Sequence, residues 1–469
     1  DYIQVKQRDS SIHATEREGG SAGVSKDFIV SAQETTFTSR NLPAIRQDEP
    51  YCWCPEDYKV QVSFDLQGTQ FTPNEYKPYS QKWEDVDNQL LKPENKQFGK
   101  YLSFTNPFRP ETKQAYNSEM SFEEKIICAF QILKKKMAWN GRYQLYSKEL
   151  EKVIPKGNGS NADLNFILIS ILKDFGLEAY PVVLSRRSSG MLPYNFPSLQ
   201  KLNTFIVAVY DINKQKYVFL DGSMDVPALN ILPLELSVNK ARILSPKEKE
   251  EKKWVNVMAL ADNKSFMKIE ARLEGNQVKG HRSTILYGQE AVEYQANEKH
   301  KQDSIVSNPE SNGSLKNKLT VTNLKVKKQE NDRALIEEEF DFVLQTDRTD
   351  DHLYINPMLF PHLKSNPFIQ TERVLPIEFP YPYKFTMLTT LTLPEGYEVE
   401  ETPQPQVIRT QGDGLQCKYM IQRQGNTISL NYIFYLKEPI FLTEQYKQLQ
   451  ELWTKVIEKN NEILVLKKI

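Results

Sequence analysis

Histidine is scarce in this chain of 469 residues, and its distribution leaves the middle of the sequence without an imidazole. The five histidines are His13, His281, His300, His352 and His362. Imidazole is the side chain best suited to proton transfer near neutral pH, and none lies between positions 13 and 281. A catalytic site in that stretch would therefore need its general base from a distant part of the chain.

Cysteine is also scarce, with four residues that follow no regular spacing. Cys52 and Cys54 are separated by one residue, a spacing that suits neither the usual redox motif nor a zinc site. Cys128 lies in an apolar, helix-like run at 122–133, which is typical of a small core residue, and Cys417 lies in a strand-like run. We therefore expect no metal site and no cofactor, and the thiols give no indication of the redox compartment.

The chain also lacks an excess of charge and long apolar runs. Lysine and arginine number 60 against 61 acidic residues, so no whole-protein field attracts nucleic acid, and the basic runs at 134–136 and 186–187 are interpreted as solvated faces. No segment approaches about 18 consecutive apolar residues, so we expect no membrane span. The strand-like residues 2–5 predict that residue 1 falls inside a domain, and the missing signal peptide is therefore uninformative.

The most informative stretch that is present is residues 156–181, KGNGSNADLNFILISILKDFGLEAYP. Its glycine-rich turn predicts a helix capped by Ser160 or Asn161, with Asp163 in the first turn, where a carboxylate favours the positive end of the helix dipole. Apolar residues occupy nearly every face over 164–175, and Gly176 then supplies a left-handed C-terminal cap. The pattern predicts a buried helix.

Three strands are predicted after this helix, over 179–184, 205–210 and 217–220, and the last ends at Asp221. This order resembles the transglutaminase-like core of the papain-like cysteine enzymes. In that family a cysteine lies two residues before an Asp in a G-x-C-x-D segment, a histidine begins the next strand, and an Asp ends the one after. Carried over to this chain, the three positions are Asn161, Asn203 and Asp221.

The two asparagines at these positions matter chemically. A thiolate forms at a helix N-terminus because the dipole and a neighbouring imidazole lower its pKa, and the imidazole then carries the proton to the leaving amine. An asparagine amide can do neither. The resemblance therefore implies a papain-like core with no catalytic residues, in which Asn161, Asn203 and Asp221 are vestigial triad positions and Ser160 is a helix cap rather than a replacement nucleophile.

Length predicts about three domains. Over residues 1–105 we expect the C-terminal part of a β-sandwich domain, with strands at 26–37 and 60–66, and a connecting helix from Ser80. Over 106–245 we expect the transglutaminase-like core, with a helix opened by the capping box at Ser121. Over 246–469 we expect a β-rich domain. The charged run at 245–253 predicts a solvated connector, and 296–318 a long loop. A late helix begins at Thr443, before a strand at 463–466. The fold class is thus α+β, a papain-like core flanked by antiparallel β-sandwich domains.

Motifs outside the core widen the resemblance. They are Asn41-Leu-Pro-Ala-Ile with Glu49-Pro-Tyr, Trp139-Asn-Gly, Gly159-Ser-Asn-Ala-Asp-Leu-Asn, Asn356-Pro-Met-Leu-Phe-Pro and Leu393-Pro-Glu-Gly-Tyr. Together they resemble large bacterial cell-envelope proteins with an N-terminal β-sandwich, a transglutaminase-like core and a C-terminal β domain. The resemblance implies a location in the periplasm or cell envelope of a Gram-negative bacterium.

Two function classes remain open. The first, which we favour, is a catalytically inactive envelope protein whose core either binds a peptide or a glycan through Ser160, Asn161, Asn203 and Asp221 or serves as a rigid spacer. Alternatively, those four side chains have a purely structural role: they close the helix start and the strand ends, and the cleft is filled. The second class is an amide-handling enzyme whose base, such as His352 or His362, would have to come within about 3 Å of a nucleophile.

Overall fold

The computed structural model describes residues 3–18, 24–42, 44–46, 49–62, 64, 66, 68–72, 75–78, 82–302, 319–328, 334–349 and 351–469. The chain divides into two compact units. The first comprises Asp1–Asp48 and Pro55–Phe64, and the second comprises Glu49–Cys54 and Asp65–Ile469.

The first unit is built on one long hairpin. Strands β1 (Ile3–Glu18) and β2 (Val24–Ser39) pair antiparallel, with Ile3 opposite Ser39. The strand predicted over 26–37 lies inside β2. The strand predicted over 60–66 is wrong for its described residues in this unit, because Val60, Val62 and Phe64 are irregular and exposed despite their alternating pattern.

The second unit opens with short strands and a set of helices that surround one central helix. These elements are β3 (Gly68–Thr72), β4 (Glu75–Pro78), α1 (Trp83–Leu91), α2 (Gly99–Leu102), α3 (Arg109–Ala115), α4 (Phe122–Lys136), β5 (Ala138–Trp139), α5 (Leu150–Val153), β6 (Asn158–Gly159) and α6 (Asn161–Asp174). Helices α2, α3 and α4 pack on α6. The predicted capping box opens α4, since the Ser121 hydroxyl accepts from the Glu124 amide and the Glu124 carboxylate accepts from the Ser121 amide. Helix α1 starts at Trp83, whereas the predicted start at Ser80 lies outside the described residues.

A five-stranded antiparallel sheet follows α6 in sequence. Its strands are β7 (Glu178–Leu184), β8 (Thr204–Asp211), β9 (Lys216–Leu220), β10 (Ala241–Ile243) and β11 (Trp254–Val255), in the order β11-β10-β7-β8-β9. Val183, Phe205 and Val207 pack in the same apolar cluster as α6, whereas Leu184 and Ile206 belong to a second cluster. Both faces of the sheet are therefore buried, which explains why its strands read as continuous apolar runs.

The charged run at 245–253 is not simply a solvated connector. Arg242 is fully buried and forms two hydrogen bonds to Asp87 at 2.7 Å and two to Glu250 at 2.8 Å. Lys253 adds a bond of 2.9 Å to Asp87. Because buried charges need partners, this cluster ties α1 to the end of the five-stranded sheet.

The remainder of the second unit is mostly strand. Its elements are β12 (Lys264–Glu274), β13 (Gln277–Tyr287), α7 (Gln289–Gln302), β14 (Leu319–Lys328), β15 (Leu335–Gln345), β16 (Asp347–Thr349), β17 (His352–Ile355), β18 (Ile377–Glu378), β19 (Tyr383–Thr392), β20 (Tyr397–Glu401), β21 (Gln406–Arg409), β22 (Leu415–Gln424), β23 (Thr427–Leu436), β24 (Ile440–Phe441), α8 (Tyr446–Asn460) and β25 (Leu464–Lys468). The eight-stranded sheet has the order β14-β15-β13-β12-β19-β23-β22-β21, and only its β12–β19 pair is parallel. A four-stranded antiparallel sheet, β16-β17-β25-β20, accompanies it.

The late helix is confirmed as α8, which buries Leu449, Trp453 and Val456 in the same cluster as Tyr432 and Phe434 of β23. The loop predicted over 296–318 is wrong for its first residues, because α7 continues to Gln302, and residues 303–318 lie outside the described residues. The protein is thus a mixed α+β structure, mostly strand, with several antiparallel sheets.

An anchor segment, Glu49–Cys54, runs along the C-terminal part of the second unit. The buried Glu49 carboxylate accepts hydrogen bonds from the amides of Val374 and Leu375, and Arg373 lies 3.6 Å away. The Glu378 amide donates to the Tyr51 carbonyl at 2.6 Å. The Glu49-Pro-Tyr motif is therefore hydrogen-bonded to the C-terminal part of its own unit.

The interpretation of the basic run at 186–187 as a solvated face is wrong for Arg187, which is buried. Its guanidinium donates to the carbonyls of Phe379 and Pro380 and lies 4.1 Å from the centre of the Trp53 ring. Burial lowers the pKa of Arg187 to about 10. These three partners of Arg187 are distant in sequence, so the local sequence pattern could not reveal them.

Candidate functional site

The start of α6 is built as the sequence predicts. Ser160 is the N-cap, its hydroxyl accepts from the Asp163 amide at 3.3 Å, and the Asp163 carboxylate accepts from the Ser160 amide at 2.9 Å. The Ser160 hydroxyl also bonds to the Asp163 carboxylate at 2.7 Å. Ser160 is therefore fully used as a cap, and within the described part of the chain its side chain bonds to Asp163 and to no histidine or lysine.

Asn161, at the proposed cysteine position, is fully buried and fully hydrogen-bonded. Its amide group donates to the Thr204 hydroxyl at 2.7 Å and to the Phe205 carbonyl at 3.1 Å. Its side-chain carbonyl accepts from the Gln144 amide at 2.8 Å. The side chain thus joins three separate segments: the helix, the start of β8 and the loop after β5.

Asn165 lies one helical turn further on and extends the same network. Its amide group donates to the Phe205 carbonyl at 2.7 Å and to the Asp221 carboxylate at 2.9 Å, and its carbonyl accepts from the Gly222 amide at 2.7 Å. The sequence interpretation missed this residue. The available signal was its spacing, since residues four apart share one helix face.

Asp221 ends β9 beneath this network and is buried. Its carboxylate also accepts from the amide and the hydroxyl of Ser223. Burial raises the pKa of the Asp221 carboxyl, while the hydrogen bonds from Ser223 and Asn165 lower it in part. The carboxylate is held by neutral donors.

Asn203, at the proposed histidine position, does not face Asn161. Its side-chain carbonyl accepts from the Arg186 amide at 3.1 Å, and its own amide donates to the Leu184 carbonyl. The side chain that meets Asn161 belongs to Thr204, one residue later. A shift of one residue along a strand moves the side chain to the other face, so the assignment of this position to Asn203 depended on a register that sequence alone does not fix.

We call Asn161, Asn165, Thr204 and Asp221 the amide cluster. Each of its side chains is at most 1% exposed. A helix start, a strand start and a strand end meet here, and their polar groups are hydrogen-bonded to one another and to the backbone. The cluster can hold three elements together, but it offers no thiol, no imidazole and no exposed carboxylate to a substrate.

The two distant histidines that could have supplied a base are engaged elsewhere. His362 stacks on Phe385 with 4.0 Å between ring centres, and burial lowers its pKa to about 3. His352 lies 2.9 Å from Glu400. Within the described residues, neither forms a contact with the amide cluster.

The loop after β5 covers the start of α6. The backbone amide of Asn161 donates to the backbone carbonyl of Arg142 at 3.0 Å, and the Trp139 indole donates to the same carbonyl at 3.1 Å. Burial raises the pKa of the Tyr143 hydroxyl. Strand β5 and this loop thus bring Trp139 and Tyr143 close to the start of α6.

Two features are absent from the described part of the chain. No group of three or more histidine, cysteine or acidic side chains could hold a metal ion there. None of the helices described combines the length and the apolar character needed to cross a bilayer.

Comparison with known proteins gives a family match in the C-terminal region and a distant structural likeness over most of the chain. A family model described as a domain of unknown function with a solved structure (DUF3858) matches residues 351–466, about a quarter of the chain. In the structure, both ends of the match lie in neighbouring strands, since β17 pairs with β25. Among solved structures, the chain resembles a candidate protease from Parabacteroides distasonis ATCC 8503 at 13% identity and a TM-score of 0.47, covering 99% of this chain and 70% of the other. Curated proteins give no significant match.

Proposed function

We propose that this protein is a catalytically inactive, transglutaminase-like protein of the bacterial cell envelope that serves as a binding or scaffolding module. Its core would be the region from about residue 106 to 245, between β-rich regions. The envelope location and the family rest on the sequence motifs, with the match of residues 351–466 to a domain of unknown function alongside them.

The observation that carries the proposal is the closed amide cluster. Asn161 at a helix start and Asp221 after a strand occupy the positions that the resemblance assigns to cysteine and aspartate, and Thr204 follows Asn203, the position that it assigns to histidine. Asn161 and Thr204 form a direct hydrogen bond, and Asn165 connects the carbonyl of Phe205 to Asp221. Neutral amides that bond a hydroxyl, a backbone carbonyl and a carboxylate stabilise the scaffold without activating a nucleophile.

The proposal is tested by an activity screen on the unmodified protein. The substrates are a glutamine-containing peptide with a fluorescent primary amine for acyl transfer, and a mixed peptide library for hydrolysis. We expect both reactions to remain at the rate of a blank. Turnover that is abolished by Asn161→Ala, in a variant that still melts cooperatively, would refute the proposal.

A further inference from the structure

We propose that the surface formed by Trp139, Tyr143 and Arg186, here called the outer patch, binds a glycan that carries carboxylate groups. Trp139 belongs to β5, Tyr143 lies on the loop after β5, and Arg186 follows β7. The inference rests on the proposed non-catalytic function and assigns a ligand class to that same part of the molecule.

The aromatic half of the outer patch is a pair of half-buried rings. Trp139 and Tyr143 have ring centres 4.9 Å apart at an interplanar angle of 47°. The hydrogen bond from the Trp139 indole to the Arg142 carbonyl fixes the orientation of that ring. The face of an aromatic ring is electron-rich, so it attracts the polarised C–H groups on one side of a pyranose ring.

The charged half is Arg186, whose guanidinium carbon lies 5.8 Å from the centre of the Tyr143 ring. Its side chain is 32% exposed, yet its Nε is buried and has no hydrogen-bond partner among the described residues. Glu235 is 3.9 Å away, and its carboxylate already accepts from the hydroxyl and the amide of Ser188. The buried Nε is out of reach of a ligand, but the exposed end of the guanidinium retains terminal N–H donors that match the two oxygens of a carboxylate.

The neighbouring Arg187 shows what a fully used guanidinium looks like in this protein. It donates to two carbonyls and stacks on Trp53. Arg186 has no comparable set of partners, although the two residues are adjacent. The contrast separates a structural arginine from one that is available to a ligand.

The loop backbone favours a glycan over an extended peptide. Peptides that add to a sheet edge need free backbone groups on the receptor. The amides of Ala138 and Asn140 donate to the carbonyls of Gly157 and Gly159, and the amides of Arg142 and Gln144 donate to the side chains of Asn140 and Asn161. With these donors already used inside the loop, recognition falls to the side chains.

The outer patch is also held in place from beneath. The backbone amide of Gln144 and the backbone carbonyl of Arg142, on either side of Tyr143, both bond to Asn161. A surface that is ordered before binding loses less conformational freedom when a ligand arrives. The amide cluster would thus support a binding surface rather than a reaction.

The test is a calorimetric titration of the whole protein with three probes: tetragalacturonic acid, its methyl ester and a tetra-aspartate peptide. We expect the acid to bind, and the ester, which keeps the sugar rings and lacks the charge, to bind at least about ten-fold more weakly. The peptide carries the charge without the rings and should also bind more weakly. Arg186→Gln and Trp139→Leu should each weaken binding of the acid by about ten-fold or more, whereas the exposed, distant Arg423→Gln should leave it unchanged.

Three results would overturn the inference: no binding of the acid, equal binding of acid and ester, or equal binding of the peptide. If Arg186→Gln fails to fold, the probe comparison on the unmodified protein and Trp139→Leu still decide the question. An absence of glycan binding together with background activity refutes this inference alone. Turnover in the activity screen refutes the proposed function instead.

Discussion

Asn161 and Asn165 lie one turn apart at the start of α6, and each uses both ends of its side-chain amide. An amide is suited to this position because it donates and accepts without carrying charge. A buried charge at the same place would need a partner, and a buried apolar group would leave the Phe205 carbonyl and the Gly222 amide without theirs.

Replacing Asn165 by alanine should therefore destabilise the protein strongly. Asn165→Ala leaves the Asp221 carboxylate and the Gly222 amide short of a partner in a buried site, which predicts a loss of roughly 3 kcal/mol in the free energy of unfolding. Urea unfolding measures it. The matched control is the exposed Asn158→Ala, which should change stability by no more than about 0.5 kcal/mol. Equal effects of the two substitutions would mean that the cluster contributes nothing.

His362 predicts a pH dependence of stability. Burial lowers its pKa to about 3 in the folded protein, whereas the unfolded chain binds the proton near 6.5. The folded-state pKa is depressed, so the stabilisation is present above pH 6.5 and is lost as the pH falls from 6.5 towards 3, by up to about 1.4 kcal/mol per pH unit. Unfolding between pH 7 and pH 5 should show a shallower slope for His362→Phe. The exposed Tyr435→Phe keeps the histidine and should keep the slope. A slope unchanged in His362→Phe would contradict the account.

At the residue scale, the sequence revealed what depends on neighbours in the chain. The cap at Ser160, the Asp163 carboxylate and the left-handed Gly176 follow from local preferences. Thr204 and Asn165 could not be assigned in the same way, because their roles depend on how β8 is placed against α6. Sequence identified the buried helix and the ends of two strands, but it did not determine which polar side chains meet there.

Two capping boxes of the same type begin α4 and α6 in different surroundings. Ser121 and Glu124 cap α4 at the surface, whereas Ser160 and Asp163 cap α6 in a buried site. Ser121→Ala should cost about 1 kcal/mol of unfolding free energy. Ser160→Ala should cost more, because it also removes the hydroxyl that bonds to the buried Asp163 carboxylate. Thermal unfolding of the two variants provides the comparison, and a smaller effect at Ser160 would show that burial of the cap is unimportant.

Elements with a clear apolar pattern could be predicted, and elements without one could not. Strand β23 spans residues 427–436, where every second residue is apolar and buried. The alternating residues 60–66 form no strand where they are described. An alternating pattern predicts one apolar face, but it does not provide a neighbouring strand to pair with. Helix α7 was expected to be partly loop because its sequence is polar, yet glutamate, alanine, glutamine and lysine all have high helix propensity.

At the scale of the whole second unit, the anchor segment Glu49–Cys54 joins residues more than 300 positions apart in sequence. Glu49→Ala removes an acceptor from the amides of Val374 and Leu375 and leaves the Arg373 guanidinium without its carboxylate, in a site where both side chains are at most 1% exposed. Removing one partner of such a pair costs about 3–5 kcal/mol. Hydrogen exchange at Val374 and Leu375 should become much faster. The exposed Glu395→Ala is the control, and protection that is unchanged in Glu49→Ala would contradict the anchoring role.

The sequence predicted several regions separated by connectors, and long-range contacts account for what that description missed. The charged run at 245–253 reads as a connector, but Glu250 and Lys253 belong to the buried cluster around Arg242 and Asp87. Arg187 and the anchor segment likewise find their partners beyond residue 370. Charge and polarity mark a segment as solvated only when no distant partner buries it, and a single sequence does not show the partner.

The central claim is that the start of α6 is closed by hydrogen-bonded amides, and the accessibility of position 161 tests it most directly. The Asn161→Cys variant is treated with iodoacetamide under native conditions, and the modified residue is followed by mass spectrometry, with Asn158→Cys three residues earlier as the exposed control. The account predicts rapid alkylation at position 158, and alkylation at position 161 only after denaturation. Alkylation of Cys at position 161 in the folded protein at the rate of the control would contradict it.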